Sequence, residues 1–239
     1  MDAFDHVPTL AALVLLAGVA DAAVVNNPGF ETGTAAPATL IAPNWSYDNH
    51  AFVTTENGIT PAAGNRMLKF LNTSWTGPGG VVSDVFQAVD LSSPADQAII
   101  TAGGAMLNVS TLFNRVADNP VPSVVDTRFR VGLYAVTSFA NAQSLANIGN
   151  NYVDLFSDSN LNTWEPVSNT LALPTGTQWV TIHLAAVENI VDDNVGVELH
   201  GHYADDVRIT LTPAPGSLAL IGIGAMISGR RRRTFPESS

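Results

Sequence analysis

Four stretches of the chain alternate their side chains with a period of two. Val81 to Val89 (VVSDVFQAV) sets Val81, Ser83, Val85, Gln87 and Val89 against Val82, Asp84, Phe86 and Ala88. Arg128 to Val136 (RFRVGLYAV) sets Phe129, Val131, Leu133 and Ala135 against Arg128, Arg130, Gly132 and Tyr134. Trp179 to Leu184 groups Val180, Ile182 and Leu184, and Val207 to Leu211 groups Val207, Ile209 and Leu211. Successive side chains of a strand point to opposite faces, so each stretch predicts a strand buried on one side. Asn57-Gly58, Gly77-Pro78-Gly79-Gly80, Gly103-Gly104 and Asn119-Pro120 are turn signals. No strand-helix alternation, nucleotide-type glycine loop or repeat of fixed period occurs. Half-buried strands without helices must cover one another, which predicts an all-β fold: an antiparallel β-sandwich of two sheets packed face to face.

Composition fits this prediction. The 239 residues are 46% hydrophobic, ample for a core, and only 13% charged, while residues that favour turns are abundant. The expected division is a signal peptide over 1–22, a single β-sandwich domain over 23–211, a sorting segment over 212–233 and a disordered tail over 234–239. Cysteine is absent, which excludes disulfides, thiolate nucleophiles and the common structural zinc sites.

The ends carry signals of another kind. Leu10 to Val19 is a ten-residue apolar block followed by Ala20-Asp21-Ala22, a small-x-small pattern that predicts cleavage before Ala23 by signal peptidase. Asp2, Asp5 and His6 occupy the stretch where such signals carry positive charge, and a buried N-terminal helix is the alternative. Near the C-terminus, Gly216 to Gly229 is a run of fourteen uncharged residues, short of the roughly 20 that span a bilayer. Pro213 and Pro215 precede it, and Arg230, Arg231, Arg232 and Arg233 end it as a stop-transfer block. The pattern predicts a short transmembrane helix that tethers the chain transiently.

Charge is divided in the same way. With the arginine cluster set aside, the section from Ala23 to Pro215 holds 17 acidic and 6 basic residues, net −11. Such a surface repels nucleic acid and anionic lipid.

The tail resembles the PEP-CTERM sorting signal, a Pro-Glu-Pro motif followed by a short apolar helix and an arginine cluster. The match runs through Pro213-Ala214-Pro215, Ser217 to Ser228, and Arg230 to Arg233, with Ala214 in place of the glutamate. The resemblance implies recognition by an exosortase-type membrane protease, removal of the tail, and release or attachment at the cell surface or in exopolysaccharide. The same tail is also labelled an ice-binding-protein C-terminal domain, a label with no implication for ice.

Within the domain, Val25-Asn26-Asn27-Pro28-Gly29-Phe30-Glu31 resembles the opening strand of galactose-binding-like jelly rolls, the family that includes carbohydrate-binding modules. Phe86-Gln87-Ala88-Val89 is similar to their Q-x-V strand, and Tyr203 to Ile209, with Asp205-Asp206-Val207, to their closing strand. This implies a structural calcium held by Glu31 and Asp205, with Asp206 as a lesser candidate. Carboxylate oxygens suit that cation, with backbone carbonyls completing its six to eight ligands. The alternative is that the two aspartates cap a turn and Glu31 is solvated.

A sugar-binding face needs exposed aromatic rings with polar groups beside them. Trp45, Tyr47, Trp75 and Trp164 are the candidates, and Trp179 is expected to be structural. His200-Gly201-His202 near Asp205 is a candidate transition-metal pair or a plain surface feature. Asp192-Asp193 lies in a polar loop with no partner identifiable by spacing, and neither Gly-x-Ser-x-Gly nor His-Glu-x-x-His occurs. The expectation is therefore an exported, non-catalytic structural or adhesive protein of the cell surface or extracellular matrix. Alternatives are a carbohydrate-binding module that recognises exopolysaccharide and a secreted hydrolase.

Overall fold

The computed structural model describes residues 23–35, 40–71, 81–116, 127–158, 160–188 and 201–213. Ten strands and two short helices follow one another: β1 (Ser46–Tyr47), β2 (His50–Val53), β3 (Met67–Phe70), β4 (Val81–Asp90), α1 (Pro94–Thr101), β5 (Met106–Arg115), β6 (Arg128–Val136), α2 (Phe139–Ser144), β7 (Gly149–Phe156), β8 (Glu165–Ala172), β9 (Trp179–Glu188) and β10 (His202–Thr212). They form two five-stranded sheets in the orders β1-β4-β9-β6-β7 and β2-β3-β10-β5-β8. Every strand pair is antiparallel. From β4 onward the chain changes sheet at every connection except β6 to β7, which is the jelly-roll manner of building a sandwich.

The alternation anticipated from the sequence places the core. Val81, Val85 and Val89 of β4, Phe129, Val131, Leu133 and Ala135 of β6, and Val180, Ile182 and Leu184 of β9 all face the opposite sheet and are buried. Phe113 and Phe129 stack across the sheets with ring centres 4.6 Å apart. Along one side, Asn169 of β8 ties the sheets together, donating to the carbonyls of Val131 and Asn151 at 2.9 and 3.0 Å. Asn57 and Gly58 both have positive φ, as a two-residue hairpin turn between Glu56 and Ile59 demands.

Residues 25–31 depart from expectation, because no regular strand forms there. Instead the Gln87 side chain supplies both halves of a missing peptide partner. Its Oε1 accepts from Asn26 N at 2.9 Å and its Nε2 donates to Asn26 O at 2.8 Å. A side-chain amide thus fastens the segment to β4 where a ladder would otherwise run, and Ala23 and Val25 are buried beneath it. The two helices are also additions. Ser93 caps α1 with Pro94 in the first turn, and Ser138 caps α2, local signals that strand periodicity does not register.

One end of the sandwich buries charge. Arg115 closes β5, Thr127 precedes β6, Glu188 closes β9 and His202 opens β10, and all four are at most 1% exposed. The Thr127 hydroxyl and the His202 Nε2 both contact Glu188 Oε1, with Arg115 NH1 3.9 Å from the same oxygen. Burial pushes the Glu188 carboxyl up, but the His202 hydrogen bond and charge, helped by Thr127 and Arg115, bring it below its usual range.

The expected signal peptide (1–22), the Ala214-Pro215 part of the sorting motif, Arg230 to Arg233 and the tail lie outside the described residues, as do Trp75, Asp192, Asp193 and His200. Among the described residues, no helix is long and apolar enough to cross a membrane.

Candidate functional site

The outer face of the sheet β1-β4-β9-β6-β7 is built by strand register. Phe86 pairs with His183, His183 with Gly132, and Gly132 with Tyr152, so these four residues form one row across the sheet. The next row runs Asp84, Ala185, Arg130, Asp154, and the one beyond it Val82, Val187, Arg128, Phe156. On the other side of the first row, α2, Ile41 and Leu145 pack over Phe86, Ala88, Val136 and Trp179 and close that part of the sheet. Trp179 rests on Phe139, ring centres 5.1 Å apart, the structural role expected of it.

Aromatic rings lie along the first row, buried at Phe86 and His183 and exposed towards the sheet edges. Tyr47 of β1 sets its ring edge-on to Phe86 at 5.1 Å, and Phe86 stacks on the His183 imidazole at 4.3 Å and 13°. Gly132 permits this crowding, since a Cβ there would lie 3.1 Å from His183 Nδ1 and 3.3 Å from the Tyr134 ring. At the far edge, Tyr152 is 57% exposed and Phe156 56%, while Tyr47 is 40% exposed at the near edge. With strands about 4.8 Å apart, Tyr47 and Tyr152 stand roughly 19 Å from each other across the sheet.

Polar groups sit in the adjoining row. Arg130 holds Asp154 through two bonds, Nε to Oδ1 at 2.6 Å and NH2 to Oδ2 at 2.9 Å. Its guanidinium also lies 4.4 Å from the centre of the Tyr152 ring. The hydrogen bonds from Arg130 bring the Asp154 carboxyl below its usual range against the opposing effect of burial. Asp84 Oδ1 is 2.8 Å from His183 Nε2, and the Asp84 N–H donates to Asp48 Oδ2 at 2.8 Å. Burial, with the nearby Asp84 charge, raises the Asp48 carboxyl despite that bond. The face therefore offers ring surfaces for C–H groups and fixed carboxylates and a guanidinium for hydroxyls.

Of the candidate aromatic residues that lie among the described residues, Tyr47 belongs to this face. Trp45 is 2% exposed and points into the core beside Phe30, its Nε1 donating to Asn27 O at 3.1 Å, so it presents no ring to a ligand. Trp164 is half-buried in a separate cluster with Ile59, Met67 and Tyr203, its Nε1 bonded to Thr60 O. His202 is likewise no surface ligand, being buried against Glu188.

The two principal calcium candidates do converge. Glu31 Oε1 accepts from the N–H groups of Asn65 and Arg66 at 2.8 and 3.0 Å, and Asp205 Oδ2 accepts from Ala63 N–H at 3.0 Å. The Glu31 and Asp205 side chains both flank Gly29, and Val207 N–H donates to Pro28 O, so the opening segment meets β10 here. Asp206 turns away to pair with Arg208 at 2.6 Å. Among the described residues no cluster of three or more acidic, histidine or cysteine side chains forms. Gly64 has φ +63° and a Cβ there would overlap Glu31 Oε1. Gly64→Ala is expected to cost about 2 kcal/mol through backbone strain and displacement of Glu31, read as a lowered urea midpoint.

Burial pushes the Asp205 carboxyl up to about 6, although Ala63, Asp206 and Ala62 N–H groups partly offset it. A carboxyl raised in the folded state favours folding more as it takes up its proton. With chelator present, stability should rise by about 1 kcal/mol as pH falls from 7 to 5, and Asp205→Asn should flatten that dependence in urea titrations.

No protein-family model matches the sequence, and no curated protein matches it. Among solved structures, the enzymatically active domain of tailspike protein 4 from bacteriophage CBA120 aligns with TM-score 0.44 and 10% identity over 80% of this chain. The chain spans about a fifth of that protein, 21%. A xylan-binding domain of family 22 from Paenibacillus barcinonensis aligns at TM-score 0.38 and 12% identity, covering 78% of this chain and 92% of that one. The K3 cleaved adhesin domain of Lys-gingipain from Porphyromonas gingivalis aligns at 0.37 and 17%, covering 79% and 98%.

Sequence reasoning missed Tyr152, Phe156, Asp154 and His183. Their signal was present in part: the outward positions of the alternating strands already held Asp84, Phe86, Arg128, Arg130 and Tyr134. What could not be read was register, which sets those positions beside His183 and beside an edge strand, β7, whose sequence GNNYVDLF lacks a clean apolar face.

Proposed function

We propose that this chain is an exported, non-catalytic module that binds an extended polysaccharide across the outer face of the sheet β1-β4-β9-β6-β7. The observation that carries this is the pair of exposed rings at opposite edges of the sheet, Tyr47 set edge-on to Phe86 on β4 and Tyr152 at the end of the Phe86–His183–Gly132 row, with Asp84, Arg130 and Asp154 in the adjoining row. Rings that stack on sugar C–H faces, with charged partners already fixed by hydrogen bonds, suit a chain of several hexose units. This geometry favours glycan binding over a purely structural or adhesive role. Affinity electrophoresis through gels of soluble neutral and acidic polysaccharides, exopolysaccharide of the host included, tests it. Retardation by at least one of them is expected, and free migration through all would overturn the proposal.

Delivery is part of the same proposal. The apolar block before Ala23 and the Pro213-Ala214-Pro215, apolar-run and Arg230 to Arg233 pattern support cleavage by signal peptidase, transient tethering in the inner membrane and removal of the tail by an exosortase-type protease. The mature protein then works at the cell surface or in exopolysaccharide. Fractionation of the native host with intact-mass measurement should find a mature chain lacking both ends, and a full-length cytoplasmic chain would refute it.

A structural calcium ion fits the junction of the opening segment and β10, where Glu31 and Asp205 offer hard oxygen donors that neighbouring carbonyls can complete. Asp206, the lesser candidate, is paired with Arg208 instead. Chelation should then lower the melting temperature, and calcium should restore it.

A further inference from the structure

A cleft of about 510 Å³ lies beside the start of α1, walled by Ala23, Asn26, Pro43, Asp90, Asp96 and Trp179. It holds two carboxylates, and among the described residues no basic one lines it. Asp96 is 2% exposed. Its Oδ2 accepts from the Ser93 hydroxyl at 2.7 Å, and its N–H donates to Ser93 Oγ at 3.1 Å, but its Oδ1 is closed off from solvent without a donor. Asp90 is exposed at the rim, with Oδ1 accepting from Ser92 N–H at 2.7 Å. A buried carboxylate oxygen without a partner is costly, so this cleft calls for a cationic donor.

Ala23 lines the same cleft and is itself 5% exposed, part of the main core with Val25. It is also the residue that follows Ala20-Asp21-Ala22. Hydrolysis of the Ala22–Ala23 peptide bond breaks the C–N bond. The water oxygen goes to the Ala22 carboxylate, and the Ala23 nitrogen becomes a protonated amine with three donors and a unit charge.

We propose that this carboxylate cleft is the receptor for the chain's own new amino terminus, and that the Ala23 ammonium formed on processing pairs with Asp96 and Asp90. The inference rests on the export reading above. Hydrogen bonding in a confined site explains why a small residue at the cleavage point is buried rather than trailing into solvent. The positive end of the α1 dipole opposes the ammonium, and the two carboxylates outweigh it. Pairing makes the folded domain more stable after cleavage than before, so processing completes the fold.

The mature protein purified from the exporting host provides the test. N-terminal sequencing fixes its first residue, and the pH dependence of amine labelling, resolved by peptide mass, titrates that group separately from Lys69, the chain's one lysine. The expected result is a start at Ala23 and an α-amine titrating at least one unit above the ordinary value of about 8. Asp96→Asn combined with Asp90→Asn should return it to that value. The raised value means the added stability is present below pH about 8 and disappears at higher pH. At pH 7 the folded-to-unfolded ratio of the processed protein should fall about tenfold in Asp96→Asn. A form carrying two extra residues before Ala23 should show no such ammonium-dependent loss. Should Asp96→Asn not fold, Asp90→Asn alone is expected to lower the titration part of the way. A chain that starts elsewhere overturns the pairing together with the cleavage site, whereas a start at Ala23 with an amine of ordinary titration overturns the pairing alone.

Discussion

Replacing Glu188 by glutamine is expected to destabilise the protein by about 3–5 kcal/mol, the usual cost of removing one partner from a buried ion pair. Glu188 Oε1 is the meeting point of Thr127, His202 and Arg115, and none of these is more than 1% exposed. The amide keeps the shape and some hydrogen bonds but removes the negative charge that faces the Arg115 guanidinium and the His202 imidazole in a low-dielectric interior. For a domain of this size the melting temperature should drop by roughly 10 °C. Calorimetry or urea unfolding measures it, and because the four residues share one network, Glu188→Gln with Arg115→Gln should lose less than the sum of the single changes. A loss under about 1 kcal/mol would mean that the charges at this end are not coupled.

Removing both terminal rings of the open face, Tyr47→Ala with Tyr152→Ala, is expected to weaken polysaccharide binding about a hundredfold, close to tenfold or 1.4 kcal/mol for each ring. The two rings are exposed at opposite edges of the face, so their loss leaves Phe86 and His183, which are buried, to offer little stacking surface. Tyr152 is more than half exposed and truncating it should leave stability within about 0.5 kcal/mol. Tyr47 touches Phe86 and will cost somewhat more. Affinity electrophoresis paired with thermal melts separates the two effects, and Trp164→Phe, away from the face, should change neither binding nor the row. Binding that survives the double change would place the glycan elsewhere.

The sandwich was legible because alternation is a local property. Phe129, Val131, Leu133 and Ala135 face the core because a pleated chain leaves them no other direction, and the sequence shows that without any partner. The site was legible only in halves. Asp84, Phe86, Arg130 and Tyr134 could be assigned to outward faces, yet nothing local says that Phe86 meets His183 or that Arg130 meets Asp154. Those meetings depend on which strands pair and in what register, which is set by the whole fold. Tryptophan was a poor guide for the same reason. Trp45 and Trp164 have the right chemistry for a sugar platform, but an indole buries so much apolar area that the fold uses them for packing. The Gln87 amide that replaces a strand's backbone, and the capped turns that became α1 and α2, lie beyond any periodic pattern.

The ladder of β10 against β5 runs to Thr212 opposite Met106, just after α1, at the end of the sandwich remote from the Arg115 and Glu188 cluster. The strand β10 ends there, whereas the line from Tyr47 on β1 to Tyr152 on β7 runs across the strands of its own sheet. Sheets packed face to face keep their strand directions within about 30° of one another. A polymer stacked on Tyr47 and Tyr152 would therefore cross the axis of β10 rather than run along it, the two meeting as crossed rods.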